Sequence, residues 1–396
     1  MNLPADWAWY SIAPETASTQ EIPVRILFSG VPAFGHLLPQ LPLARAARQG
    51  GHDVAVLTGA VMDGLLGLPV LGAGPTGLEV VEEVTKRIGT NVLEVLVPEP
   101  EDVAELFAGA RVDLTIDEAM EAARAWKPDL IVAEAYDFVG PLVAAGLGVP
   151  WTTLTLGPAL PDEQTALFSA TVAPRYEERG LIPTLPLVFI DRCPPSLQVP
   201  GWVAPGNRIA LRPEAHRQDG YSGDVPRFPG GADRPLVLVT LGTVFNDPGL
   251  LEAIVTSLEP AGVNVMATLG PDSSPDAAAV VRDWVRLVDF APLDSLLEDV
   301  NVVVTAGGSG TVLGTLSRGI PMVLAPQGAD QTLNGALVAE VGAGITVEKP
   351  DQIGEAVARL LADRSFSDRA GLLAQEIVGM SSPAEVVQQL VARMSA

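Results

Sequence analysis

The stretch VVVTAGGSGTVLGTLSRGIPMVLAPQGADQTLNG, residues 302–335, carries the densest set of groups that could do chemistry. It reads as an apolar strand, then Gly307, Gly308, Ser309, Gly310 and Thr311, then a helix. Such a turn gathers backbone N–H groups at a helix N-terminus, where the partial positive charge favours an anion such as a phosphate. Ser309 and Thr311 add hydroxyls. The same pattern also serves as an ordinary strand-to-helix turn whose glycines permit close packing. A second loop, VTLGTVFN at residues 239–246, ends a strand with a glycine and Thr243 at the same expected sheet edge, the edge where open α/β sheets bind ligands. After a further apolar run come Asp330, Gln331 and Asn334, with Asn334 four residues beyond Asp330 and on one face with it if a helix begins there. Neither glycine loop continues into Gly-Lys-Ser/Thr, and neither gives the Gly-x-Gly-x-x-Gly dinucleotide pattern with its downstream acid.

Three histidines are available for proton transfer: His36, His52 and His216. His36, in AFGHLLP, follows the first strand, where it could cap a helix or take a proton from a hydroxyl. His52 stands at the foot of a strand and reads as structural, whereas His216 lies in a Pro/Gly-rich linker and is expected to be solvated. The single cysteine, Cys193 in RCPPSLQ, has no histidine nearby in sequence and reads as structural; one cysteine makes no disulfide and no cysteine zinc site. No Asp-x-Asp pair occurs, so no metal site is expected.

The elements that must position these groups alternate between strand and helix. VRILFSG, HDVAVLTG, DLIVAE and PWTTLTL read as strands of a first α/β unit, with the helix LLPQLPLARAARQG stopped by Gly50 and Gly51. LVLVTLG, VNVMATLG, VRLVDF, VNVVVTAGG, IPMVLAPQ and GITVE read as strands of a second. Between them, LRPEAHRQDGYSGDVPRFPGGADRP lacks periodicity and reads as a linker. The expected division is an N-terminal extension at 1–22, a first domain at 23–212, a linker at 213–234, a second domain at 235–380 and a C-terminal helix at 381–396 that packs back on the body. A net charge of −24 argues against nucleic-acid and anionic-membrane partners. The first 22 residues carry no Lys or Arg and no long apolar core, so they fail as a signal peptide, and no run of 18 apolar residues follows; a cytoplasmic protein is expected.

TLGT, VDFAPL, GGSGT and PQGADQTLN, taken with GVPAFGHLLPQLPLARAARQGGHDVAVLTG and CPPSLQ, resemble in order the family 1 glycosyltransferases, in particular bacterial enzymes that decorate antibiotics and other natural products. The resemblance spans nearly the whole chain from Val24. It implies an α/β fold of the GT-B type, two facing Rossmann-like domains with a central cleft, the first for the acceptor and the second for a UDP- or TDP-sugar donor. It further implies that Phe290, Ala291, Pro292 and Leu293 meet the nucleotide base and Thr243 a phosphate oxygen. Gly307, Gly308, Ser309, Gly310 and Thr311 would hold the diphosphate, and Asp330, Gln331 and Asn334 the sugar. His36 falls on the family's general base, and Glu134, ending DLIVAE, falls where many relatives carry the aspartate that orients it; Asp137 is the reserve. Relatives usually place a phosphate-binding histidine just before the paired glycines, where this chain has Ala306; that leaves compensation by backbone and hydroxyl donors, weaker donor binding or lost activity, and the suitable chemistry of the other donor-site positions favours compensation.

The expected activity is an inverting, metal-independent hexosyl transfer to a hydroxyl of an apolar small molecule, with the nucleotide sugar as co-substrate and no cofactor. The acceptor would be held by loops at LFAGARVDLT and LPDEQTALFSATVAP. Two alternatives share the fold: a nucleotide-sugar epimerase or hydrolase, and a non-catalytic relative that binds nucleotide sugar or natural product in support of a partner enzyme.

Overall fold

The computed structural model describes residues 23–95, 97–218, 221, 226, 228, 231, 233–241, 248–268, 282–289 and 291–394. Thirteen strands among them form two all-parallel sheets. The first contains β1 (Arg25–Ser29), β2 (Asp53–Thr58), β3 (Val70–Gly72), β4 (Leu130–Glu134), β5 (Trp151–Leu154), β6 (Phe189–Asp191) and β7 (Arg208–Ala210), in the order β3-β2-β1-β4-β5-β6-β7. The second contains β8 (Leu236–Thr240), β9 (Asn264–Thr268), β10 (Val285–Val288), β11 (Val302–Thr305), β12 (Met322–Leu324) and β13 (Gly344–Thr346), in the order β10-β9-β8-β11-β12-β13.

Both orders have the same logic. The chain leaves the first strand of each sheet, adds strands outward on one side, then crosses back to add the rest on the other. The strand order therefore reverses between β1 and β4, paired Ser29 to Ala133, and between β8 and β11, paired Thr240 to Thr305. At such a switch point the loops leave in opposite directions and open a crevice at the C-terminal ends of the strands. His36 follows β1, Glu134 ends β4, and the glycine loop 307–310 follows β11. Sheet topology alone thus puts the chemistry-bearing residues at the two crevices.

Apolar residues cover both faces, as a parallel sheet requires. Ile26 and Phe28 of β1 enter one core with Leu41 and Leu43, while Leu27 between them enters the opposite one with Ile116 and Leu142. In β8, Leu238 faces one core and Val237 and Val239 the other. The last helix, Pro383–Met394, does not stay with the second sheet. Its Val386, Val387, Leu390 and Val391 complete the first core, beside the helix Leu41–Gln49, and Arg212 N–H donates to the Ser381 carbonyl at 2.8 Å where the chain crosses over.

The short strands β3, β6 and β7 have three residues each and no alternation long enough to read from sequence. The two segments expected to be acceptor loops are helices instead. Residues 106–115 lie in a continuous helical run made of Pro100–Ala104, the π-helical stretch Glu105–Ala110 and Arg111–Trp126, and 162–174 lie in the helix Asp162–Glu178. Their apolar residues face the core behind β4, with Phe168 and Val172 buried beside Ile131, which is what fixes them as helices.

Candidate active site

The loop after β1 closes into a single helical turn, Phe34–Leu37, which carries His36. Its Nδ1 lies 3.0 Å from Oε1 of Glu134, the last residue of β4, whose side chain is fully buried. Glu134 is held by two backbone donors as well: Val31 N–H reaches Oε1 at 3.3 Å and Tyr136 N–H reaches Oε2 at 2.8 Å. An ionised carboxylate only accepts, so Nδ1–H donates to it and the lone pair of the imidazole is at Nε2. Gly30 permits the arrangement. A Cβ there would stand 2.6 Å from Gln40 Nε2, 2.9 Å from Leu37 Cδ2 and 3.4 Å from Glu134 Cγ.

Asp137 has a different task from the one held in reserve for it. Its carboxylate pairs with buried Arg111 at 2.5 Å and accepts from Gly140 N–H at 3.0 Å at the start of the helix Val139–Leu147, while Arg111 also donates to the Gly30 carbonyl at 2.9 Å. The geometry selects Glu134, one carbon longer than aspartate, as the partner of His36.

Three half-buried rings crowd this point. His36 lies 5.5 Å from Phe107 and 5.7 Å from Tyr136, and Phe107 lies 5.0 Å from Tyr136, with Phe168 buried behind. Phe107 comes from the π-helical stretch, a distortion that recurs in helices at functional sites. Burial, then the charges of Asp330 and Glu134, push the Tyr136 phenol well above its ordinary range and keep it protonated. Sequence reasoning passed over Tyr136, although it stands two residues beyond Glu134; Phe107 lies within LFAGARVDLT, one of the two segments expected to hold the acceptor. A cavity of about 200 Å³ adjoins Glu134, Phe138, Trp151, Val172 and Tyr176 without reaching His36.

In the second crevice, Gly307 has φ 101°, and the helix Ser309–Ser317 begins with Gly308 as its N-cap. Gly307 N–H is used by Thr305 Oγ1 at 3.2 Å. Ser309 is committed within the protein: its Oγ–H donates to Asp330 Oδ2 at 2.5 Å and its N–H to the same oxygen at 3.1 Å. The amides of Gly308 and Gly310, by contrast, have no acceptor among the described residues. Asn334 Nδ2 lies 2.9 Å from Asp330 Oδ2, 3.0 Å from Ser309 Oγ and 2.8 Å from the Gly307 carbonyl. Asp330 is the N-cap residue of the helix Gln331–Glu340, which brings the i and i+4 side chains together. Gln331 Oε1 accepts from Gln327 N–H at 2.7 Å and Gly328 N–H at 3.1 Å, so this amide closes its own loop. The pair therefore offers outward one acceptor, Asp330 Oδ1, and one donor, the Gln331 amide nitrogen.

Ala306 is 1% exposed, and a histidine there would have to bury its ring. Ala291 is buried, and Pro292 leads into the turn Leu293–Leu296, whose Leu293 packs on Gly314 of the Ser309–Ser317 helix. Thr243 and Phe290 lie outside the described residues. His52 is buried, with Nδ1 accepting from Val24 N–H at 3.3 Å. His216 is half-buried rather than solvated, because residues 211–216 pack between the two sheets; burial and the Arg45 guanidinium push its imidazole down to about 4. Cys193 is fully enclosed, and burial pushes its thiol up, out of the nucleophilic range.

The two crevices face each other. Tyr136 of the first feels the charge of Asp330 of the second, and at Gly157, just past β5, a Cβ would stand 2.1 Å from Ser309 Oγ. A histidine-carboxylate pair thus opposes an amide-rich helix start and a carboxylate-amide pair. Residues 45–205 match the erythromycin biosynthesis protein CIII-like N-terminal domain, and residues 252–393 match the C-terminal domain of the same family. The chain belongs to this family of glycosyltransferases. It is 30% identical to a tylactone mycaminosyltransferase of Streptomyces fradiae over 93% of this chain and 92% of that one. It is also 30% identical to the elloramycin glycosyltransferase ElmGT of Streptomyces olivaceus, over 93% and 97%. The solved glycosyltransferase SsfS6 of Streptomyces sp. SF2575, complexed with thymidine diphosphate, superposes with a TM-score of 0.76 at 30% identity, over 93% of this chain and 99% of that one. This glycosyltransferase therefore has the GT-B fold and is of the antibiotic-biosynthesis type. Among its described residues no helix is long and apolar enough to cross a membrane.

Proposed function

We propose that the enzyme is a cytoplasmic, inverting, metal-independent transferase that moves a sugar from a TDP- or UDP-sugar to a hydroxyl of an apolar natural product. The observation that carries the reading is the 3.0 Å His36–Glu134 contact placed opposite Asp330 and the start of the Ser309–Ser317 helix. Nε2 of His36 takes the proton of the acceptor hydroxyl as its oxygen attacks the anomeric carbon from the side away from the nucleotide. One displacement of that kind inverts the anomeric centre. Glu134 stabilises the imidazolium, and general-base help of this type is typically worth roughly 100- to 10,000-fold in rate. Departing charge falls on the amides of Gly308 and Gly310 and on the hydroxyl of Thr311, with Thr243 as the further donor that the family resemblance implies. Asp330 Oδ1 and the Gln331 amide hold the sugar hydroxyls, while the rings of Phe107 and Tyr136 give the acceptor an apolar wall.

Support comes from the thymidine diphosphate bound in SsfS6, from the natural products named for the curated relatives, and, for the absence of a metal, from the lack of an Asp-x-Asp pair. The test is calorimetric titration with TDP and UDP, followed by transfer from TDP- and UDP-sugars to a panel of aromatic and macrocyclic alcohols, with and without EDTA. Nucleotide binding, an inverted product, EDTA resistance and loss of transfer in His36→Ala are expected. No binding to either nucleotide at millimolar concentration would overturn the reading.

A further inference from the structure

Arg192 follows β6 at the C-terminal edge of the first sheet and is 2% exposed. A guanidinium has five N–H donors and keeps its charge in any protein environment, and a charge removed from water needs a partner. Here Nη1 donates to the Leu156 carbonyl at 3.1 Å, and among the described residues no carboxylate lies within ion-pair distance of it. Neighbouring Asp191 is occupied by Arg208 at 2.7 Å, by Cys193 N–H at 2.9 Å and by Gln198. Glu214 attracts the guanidinium only at longer range, and burial pushes Arg192 down to about 10, so it remains a cation at neutral pH. In a chain of net charge −24, an enclosed cation whose one side-chain acceptor among the described residues is a carbonyl is suited to an anion.

The Leu156 carbonyl sets the guanidinium beside Gly157, the residue that faces Ser309 of the second domain. Followed through these contacts with standard backbone dimensions, Nη1 and Ser309 Oγ are separated by at most about 10 Å. A cation from one domain thus lies near the start of a helix in the other whose Gly308 and Gly310 amides have no acceptor among the described residues. We infer that Arg192 binds the diphosphate of the nucleotide-sugar donor from across the cleft, supplying the positive charge that Ala306 does not. The inference rests on the nucleotide-sugar reading above. A guanidinium can grip a phosphate with two parallel N–H bonds and also steady the charge of the departing nucleoside diphosphate.

Arg192→Gln leaves a polar amide while removing the charge, and Arg192→Lys keeps a charge without the fork. Calorimetry of the full-length proteins with TDP and with thymidine separates the possibilities. TDP affinity should fall about 10- to 100-fold in Arg192→Gln and recover in part in Arg192→Lys, with thymidine affinity unchanged in both. TDP binding within threefold of wild type in a folded Arg192→Gln, or an equal loss for TDP and thymidine, would overturn the inference and leave the nucleotide-sugar reading standing. If Arg192→Gln does not fold, a structure of the wild-type protein with TDP decides. A guanidinium nitrogen within 3.5 Å of a phosphate oxygen is expected, and a separation beyond 6 Å would refute it. Wild-type protein that binds neither TDP nor UDP at millimolar concentration removes both readings together.

Discussion

Glu134→Gln is nearly isosteric and removes one charge from the centre of the first crevice. The carboxylate accepts at both oxygens: Val31 N–H and His36 Nδ1–H at Oε1, Tyr136 N–H at Oε2. An amide can accept at only one end. If the carbonyl keeps the Val31 and His36 end, the NH₂ group meets the Tyr136 N–H and one buried bond is lost, for about 1–3 kcal/mol of stability. If it flips, His36 must accept at Nδ1 and carry its proton at Nε2, the wrong tautomer for a base. The first orientation gives a floor on the catalytic loss, because a neutral hydrogen bond still orients the ring and only the charge-assisted increment, about 1.4 kcal/mol or tenfold, disappears. The ceiling is the attraction between imidazolium and carboxylate, about 4 kcal/mol for centres about 4 Å apart at an effective dielectric of 20, or roughly 1,000-fold. Turnover measured at saturating donor and acceptor should fall between these limits, with TDP affinity unchanged. Glu134→Asp keeps the charge but withdraws it by about 1.5 Å, and should lose less. A Glu134→Gln enzyme within threefold of wild type, or one that loses TDP affinity in step with turnover, would refute the dyad.

Phe107→Leu removes an aromatic pairing worth about 0.5–1.5 kcal/mol from beside His36, so transfer should drop by about 2- to 12-fold while TDP affinity holds; unchanged transfer would show that the ring only packs. Gly157→Ala drives a methyl group into Ser309 at the point where the domains meet. Overpacking of about 1–3 kcal/mol should slow turnover by roughly 5- to 150-fold, and a fully active variant would place the domains further apart than described. His216 has its folded-state pKa lowered to about 4 from an ordinary 6.5, so between those values the unfolded chain binds more protons and stability rises with pH. The contribution is full above pH 6.5 and lost as pH falls toward 4, at up to about 1.4 kcal/mol per pH unit. Chemical denaturation from pH 4 to 7 should show a shallower slope in His216→Gln, and an identical slope would refute the assignment.

Strands with long apolar runs, such as 24–30 and 302–305, were legible because a parallel sheet buries both faces and leaves no alternation to confuse. The glycine loop and the polar set at 330–334 were legible for a similar reason: local chain chemistry decides both. What sequence could not give was partnership across distance. Whether His36 met Glu134 or Asp137 turned on Arg111, 26 residues before Asp137, claiming one of the two carboxylates. His216 looked solvated in a stretch rich in Pro, Gly and Asp, but the packing of residues 211–216 between two sheets encloses it. Phe107 and Tyr136 reach the site only because a helix and a strand end are brought together by the fold.

The returning helix Pro383–Met394 has a consequence for how the molecule is made. The first sheet is complete in sequence by residue 210, yet four of the side chains that seal one of its faces arrive after residue 385. On the ribosome, the N-terminal domain must wait with an open apolar groove beside Leu41 and Leu43 until residues 386–391 emerge, so order of synthesis does not set order of folding. Once closed, the same helix makes the chain cross between domains twice, once through the linker and once near Ser381. Two crossings restrict the domains to opening about the line that joins them, in the manner of a book held at two points along its spine.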